Sequence, residues 1–397
     1  MARVVVAPVH SYISNREYGK SYNILNSLRD PAFEIDAYVG EEVTPLEADN
    51  VSVHEFHTRN RLKYYGRCFE TAARELRAGT VDVYHHMNLS YRWFNPVLLA
   101  GLASDTPTVL GPCQTGHAIM PEEFNNLLAG VVNRELPMPV SNALYYPLNS
   151  IRDVTVDPVR MTLFRRTLEA ADRIVVVHED AKELYARYVD ESKIEVIPLG
   201  VDPELFEFRE RTETQELVAI GRLERRKAYD VLLDALAEIA GSFPDVHLNV
   251  FGEGPEEEAL REQAQRLGVS ENVTFHGYVD QSVLREHLSD ARAFVHPSRS
   301  ESFSLVRLEA MAVGCPVVVS DVYGAREMVR DGEEGFVVPT ESPEAIVEAV
   351  TTLLGDFDLA SDIGRRARAR VEERYDWRTI GRQYIEIYDE LLAACPE

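Results

Sequence analysis

A chain of 397 residues exceeds what one ordinary core organises, so two domains of roughly 150 to 200 residues each are expected. Its 66 acidic residues outnumber 41 basic ones, and the formal net charge of -25 disfavours nucleic acid as a partner. No stretch approaches the roughly 20 uninterrupted apolar residues of a membrane-spanning helix, and the basic residues are nearly all Arg, with Lys only at 20, 63, 182, 193 and 227.

From the amino end, Met1 to Val9 carries neither a basic leader nor a cleavage site and reads straight into a strand over Arg3 to Pro8, which sets a cytoplasmic location as the expectation. A helical pattern from Glu17 to Leu28 leads to a second extended run, Phe33 to Val39. Apolar runs follow at Val81–His85, Thr108–Leu110, Arg173–Val177 and Lys193–Ile197, with helical stretches such as Leu62–Arg77 and Ala181–Tyr188 between them. This alternation predicts a parallel sheet wrapped by helices. Between Gly116 and Thr162 it dissolves into a Pro- and Asn-containing segment too long for a simple connection. That segment, with Met120, Phe124, Leu127, Leu128, Tyr145 and Tyr146, reads either as a helical insertion or as a surface meeting an acceptor or a membrane.

Ile197-Pro-Leu-Gly-Val-Asp-Pro203 concentrates breaker residues after a strand and is the expected domain linker. Beyond it the rhythm restarts. Strands are expected at Glu216–Ile220, Val246–Phe251, Asn272–His276, Ala293–His296, Pro316–Val319 and Gly335–Val338, and helices at Ala228–Ala240, Glu256–Leu267, Ser282–Asp290, Ser304–Val313, Arg326–Val329 and Pro343–Leu354. The fold class is therefore α/β, with two doubly wound Rossmann-like domains whose ligand crevices lie at the carboxyl ends of the strands. Cys68, Cys113, Cys315 and Cys395 form no C-x-x-C pair, and neither a disulfide framework nor a zinc site is expected. An acidic surface so poor in Lys resembles proteins of salt-loving organisms, where ionic strength screens self-repulsion.

In so acidic a chain the basic clusters carry information. Gly221-Arg-Leu-Glu-Arg-Arg-Lys227 follows a strand, which places Arg222 and Lys227 where an anion would bind: Arg222 forks onto phosphate oxygens and Lys227 adds a mobile point charge. A solvated basic turn is the alternative. The second feature, Ser298-Arg-Ser-Glu301-Ser-Phe-Ser-Leu-Val-Arg-Leu-Glu309, holds two carboxylates eight positions apart across a helix start. Glu301 stays in the loop and Glu309 lies more than a turn inside, while the free N–H groups between them, with small Ser302 and Ser304, suit a diphosphate. Ordinary capping by the serines explains the same residues without a ligand.

Together these segments resemble the retaining glycosyltransferases of family 4, with their group 1 carboxyl-terminal domain. The resemblance rests on Gly-Arg-Leu-x-x-x-Lys, on Val-Phe-Gly-Glu-Gly-Pro at 250 to 255 and on Val-Thr-Phe-His-Gly-Tyr-Val at 273 to 279. The run from Glu301 to Val318, Tyr-Gly-Ala-Arg-Glu at 323 to 327 and Asp-Gly-Glu-Glu-Gly-Phe at 331 to 336 complete it. It is strongest over Leu199 to Pro339, and the tail near Trp377 to Leu392 is similar to the family's closing helix. It implies a GT-B fold with two domains facing across a cleft: 1–198 on the acceptor side, 199–375 binding the donor, and 376–397 returning to the first domain. A nucleotide-diphosphate sugar as donor, a glycan, lipid-linked or small-molecule acceptor, retention at the anomeric carbon, no cofactor and no metal are likewise implied. By motif match Arg222 and Lys227 hold the diphosphate, Glu301 the sugar and Glu309 the ribose, with Gly221, Ser302, Phe303, Ser304 and Leu305 lining the donor pocket. No Asp-x-Asp cluster or His/carboxylate set at ligand spacing lies in an expected loop, so the leaving-group charge falls to the cations and the helix end.

The first half departs from the family pattern. Where relatives carry a Gly-Gly pair, Gly19 stands alone, followed by Lys20; the turn His85-His86-Met-Asn88 provides His86, and Gly111-Pro-Cys-Gln-Thr-Gly-His117 provides Gln114 and His117 in place of a His-Thr pair. Gly252-Glu-Gly254-Pro lacks the third Gly of a dinucleotide fingerprint. A nucleotide-sugar epimerase or phosphorylase of the same fold and a binding protein without turnover are the competing readings; a phosphorylase needs pyridoxal phosphate on a Lys, and no Lys has such a context. A lipid-linked acceptor implies peripheral contact with the inner membrane face.

Overall fold

The computed structural model describes residues 1–9, 19–41, 44–87, 96–113, 162, 164–210 and 212–394. They fall into two compact units, Met1–Pro198 with Gly381–Glu397, and Leu199–Ile380.

The first unit is built on parallel strands β1 (Ala2–Val6), β2 (Phe33–Val39), β3 (Val51–Glu55), β4 (Val83–His86), β5 (Thr108–Cys113), β6 (Arg173–Val176) and β7 (Ile194–Val196), in the order β3-β2-β1-β4-β5-β6-β7. Val4, Val5 and Val6 are wholly buried, as a central parallel strand covered on both faces requires. The order reverses between β1 and β4, and crevices open at such a point. Strand β3 was not among the expected elements: Val-Ser-Val-His-Glu alternates buried with exposed positions at the sheet edge, leaving no apolar run to read.

The helix Trp377–Ala394 closes this unit. Its Tyr388 hydroxyl lies 2.6 Å from His85 Nδ1 and its Tyr384 ring stacks on the same imidazole, while His85 Nε2 lies 2.8 Å from the Gly111 carbonyl oxygen. Burial pushes the His85 pKa down to about 4 against the pull of that carbonyl, so the ring is neutral, donating to Gly111 and accepting from Tyr388. Where this helix crosses Lys20–Ser27, a Cβ on Gly381 would stand 2.0 Å from the Ser27 carbonyl oxygen, so only glycine permits the approach.

In the second unit β8 (Glu216–Ile220), β9 (His247–Phe251), β10 (Val273–Gly277), β11 (Ala293–His296), β12 (Val317–Ser320) and β13 (Gly335–Val338) form a parallel sheet ordered β10-β9-β8-β11-β12-β13. Alternation along the strands makes two cores. Leu217, Ala219, Ala293, Val295 and Val318 join one cluster; Val218, Ile220, Phe294, Val317 and Val319 join the other, one to each face. The order reverses between β8 and β11, the two strands that lead into the charged segments. Two helices here were not expected, Pro96–Leu102 in the first unit and Phe357–Arg374 in the second. The latter is rich in Arg and acidic residues and starts on Asp356, whose side chain accepts from Leu359 N–H at 2.9 Å, a capping signal stronger than its apolar pattern. Cys68, Cys113 and Cys315 are buried, and Cys395 lies outside the described residues.

Candidate functional site

At the end of β8 the chain turns through Gly221, whose φ of 150° suits glycine, and whose carbonyl accepts from the Tyr229 hydroxyl at 3.1 Å. Gly252 follows β9 so close by that a Cβ on it would meet the Gly221 carbonyl oxygen at 2.2 Å. Arg225–Lys227 then form a 3-10 turn that stops at Ala228, left-handed at φ 54°, before the helix Tyr229–Ser242. This sharp reversal brings the Lys227 side chain back over the sheet.

From the neighbouring strand β11 comes the loop 297–304. Arg299 ties it down, paired with Asp230 at 2.7 Å and with Glu341, while its N–H donates to the Arg226 carbonyl at 2.8 Å. So held, Glu301 is nearly buried and forms an ion pair with Lys227. Arg226 Nη1 stands 3.4 Å from the other carboxylate oxygen, which also accepts from Ser302 N–H at 3.2 Å. Buried His296 lies alongside, its Nε2 3.2 Å from Lys227 Nζ and 3.1 Å from Ser298 Oγ. Burial lowers the Lys227 pKa and Glu301 restores part of it. The same burial works against the Glu301 carboxylate, but Lys227 and Arg226 outweigh it and hold its pKa below the ordinary value. His296, buried among three cations, is driven well below its usual range and is neutral.

The helix Leu305–Ala312 begins directly after this loop, with Ser304 as its cap, its hydroxyl accepting from Arg307 N–H at 3.4 Å. Glu309 is buried one turn in, and its carboxylate accepts from Gln281 Nε2 at 3.4 Å. Burial pushes Glu309 up to about 7 despite that bond. The arrangement offers a carboxylate held ionised beside two cations, a second carboxyl that is half protonated near neutrality, and a helix amino end between them. Among the described residues, no group of three or more His, Cys, Asp and Glu side chains is arranged to hold a metal ion, and no helix is long and apolar enough to cross a membrane.

Of the residues singled out from the sequence, Lys227, Glu301, Ser302 and Ser304 gather at the junction of β8, β11 and the helix, with Gly221 beside the Lys227 stem and Glu309 a turn deeper. Arg222 does not share the ion pair: its side chain is 65% exposed and pairs with Glu224 at 2.9 Å. Phe303 packs on the core and Leu305 opens the helix. Gly19, preceding the helix Lys20–Ser27, and buried His86, at the end of β4, belong to the other unit; Gln114 and His117 lie outside the described residues. Arg226 and His296 were missed. Their signals were faint: one more basic residue in the run 225–227, and a polar residue closing an otherwise apolar strand.

Two Rossmann-like units, one carrying a cationic strand-end site at its switch point, define a protein of the GT-B class. Solved structures share this fold. Sucrose-phosphate synthase from Thermosynechococcus elongatus superposes with a TM-score of 0.69 at 22% identity over 100% of both chains, and Anabaena Alr3699/HepE in complex with UDP with 0.69 at 18% identity over 98% of this chain and 100% of that one. The profile of Glycosyltransferase Family 4 matches residues 22–205 and that of Glycosyl transferases group 1 matches residues 202–370; the chain belongs to this glycosyltransferase family. The GDP-mannose-dependent alpha-(1-6)-phosphatidylinositol monomannoside mannosyltransferase of Mycolicibacterium smegmatis is 33% identical over 58% of this chain and 65% of its own length. Glycogen synthase of Mycobacterium tuberculosis is 34% identical over 50% of this chain and 48% of its own. The aligned part of the chain thus spans between about half and two thirds of these relatives.

Proposed function

We propose that this chain transfers a sugar from a nucleotide-diphosphate sugar to a hydroxyl acceptor with retention at the anomeric carbon, without a metal or other cofactor. The observation that carries the reading is the Lys227–Glu301 ion pair, flanked by Arg226, at the amino end of the helix Leu305–Ala312. Lys227 and the helix N–H groups take the diphosphate, joined by Arg222, whose exposed side chain is free to swing from Glu224. Glu301 accepts from sugar hydroxyls and Glu309 from those of the ribose. Bond breaking at the anomeric carbon builds oxocarbenium character on the sugar and negative charge on the departing diphosphate, which the cations stabilise. The acceptor oxygen attacks on the same face as the leaving group: the bond from carbon to phosphate oxygen breaks, the bond to the acceptor oxygen forms, and the acceptor proton passes to the released phosphate.

Relatives named as phosphatidylinositol monomannoside and phosphatidyl-myo-inositol mannosyltransferases favour a lipid-linked or glycan acceptor, hence a cytoplasmic protein working peripherally at a membrane face. A thermal-shift screen of UDP-, GDP- and ADP-sugars, with and without EDTA, names the donor, since a bound ligand stabilises with the logarithm of its occupancy. Nuclear magnetic resonance of the product reads the anomer. No shift with any nucleotide sugar, or an inverted product, removes the assignment.

A further inference from the structure

Arg307 occupies the first turn of the helix Leu305–Ala312 and is 1% exposed, the largest side chain buried so completely among the described residues. Its Nη1 lies 4.0 Å from Met328 Sδ, a weak acceptor, and neither Nε nor Nη2 has a hydrogen-bond partner among the described residues. A guanidinium buried this way is costly, and the positive end of the helix dipole adds to the cost. Its electrostatic neighbours are Glu301, which attracts it, the Tyr375 hydroxyl, and Lys227 and His296, on which its charge also acts. Around Glu301, therefore, three cations (Lys227, Arg226 and Arg307) face one carboxylate, with His296 neutral. The excess is positive, and it is joined by the free N–H groups at the amino end of the helix Leu305–Ala312.

We infer that Arg307 is a positioning residue of the anion site: without touching the ligand, its buried charge raises the positive potential at the helix end and sets the preference for a diphosphate over less charged forms of the same nucleoside. This inference rests on the donor reading above. A buried charge acts through a medium that screens it far less than water does, so its pull on a multiply charged ligand is substantial without contact. The cost of keeping it unpaired in the free protein is relieved when the anion arrives.

The test is Arg307→Met, similar in length and uncharged, beside Arg307→Lys, which keeps the charge. Calorimetry gives the affinity for the nucleoside diphosphate identified by the donor screen, ligand-observed resonance that for the bare nucleoside, and thermal unfolding the stability of each variant. R307M is expected to bind the diphosphate roughly tenfold more weakly, to bind the nucleoside within about twofold of the unaltered protein, and to melt no lower, because an unpaired buried charge has been removed. R307K should retain diphosphate affinity to within about threefold. Unchanged diphosphate affinity in R307M, an equal loss for nucleoside and diphosphate, or a lowered melting temperature would each assign Arg307 to packing and overturn the proposal. An unaltered protein that binds no nucleoside diphosphate refutes the donor reading instead, and this inference with it.

Discussion

Glu301 carries a charge that its burial alone would remove, and Lys227 and Arg226 are what keep it. Glutamine at this position retains hydrogen-bonding capacity but not the charge. Glu301→Gln is therefore expected to leave the fold intact and nucleoside diphosphate binding no weaker while turnover falls by about a hundredfold or more, as loss of transition-state stabilisation does; near-normal sugar transfer by the variant would end its assigned role. Glu309 behaves oppositely. Its folded pKa, about 7, lies above the ordinary carboxylate value of 4.5, so its contribution is fully present below pH 4.5 and is lost as pH rises through 7, on the order of 3 kcal/mol in the limit. Thermal unfolding should show Glu309→Gln more stable than the unaltered protein at pH 8 and level with it at pH 4.5. A difference that does not grow with pH would deny the shift.

At the scale of elements, the strands around the site were legible because apolar runs ending in Gly221 or His296 mark where a parallel strand meets its crevice. The lysine–carboxylate pair was legible as two separate motifs, but their contact depends on the reversal at Ala228 and on Arg299 anchoring the loop, neither of which has a sequence signal. The edge strand β3 and the helix Phe357–Arg374 were illegible for a plain reason: polar residues dominate both, and position in the sheet or a capping Asp356 decides their conformation. Close helix crossing is equally silent. Gly381→Ala places a methyl against the Ser27 carbonyl, and we expect the closing helix to be forced off Lys20–Ser27, at a cost of about 1–3 kcal/mol, with a lowered midpoint in urea. An unchanged midpoint would show that the two helices do not cross so closely.

For the whole molecule, a formal charge of -25 repels itself at low ionic strength. The melting temperature is expected to climb between about 0.1 and about 2 M potassium chloride as screening lengths shrink from about 10 Å to a few ångströms. A flat or falling curve would count against the salt-adapted reading of the composition.

The second unit is one uninterrupted stretch of chain whose beginning and end are stitched side by side: Val201 N–H donates to the Tyr375 carbonyl at 2.8 Å, and Gly200 rests against the indole of Trp377. Topologically it is a cassette within a host whose sequence resumes after it. A gene encoding only the cassette would therefore lack no strand of its sheet, and severing the chain at one crossing would leave the fragment still clasped at the other by its own backbone.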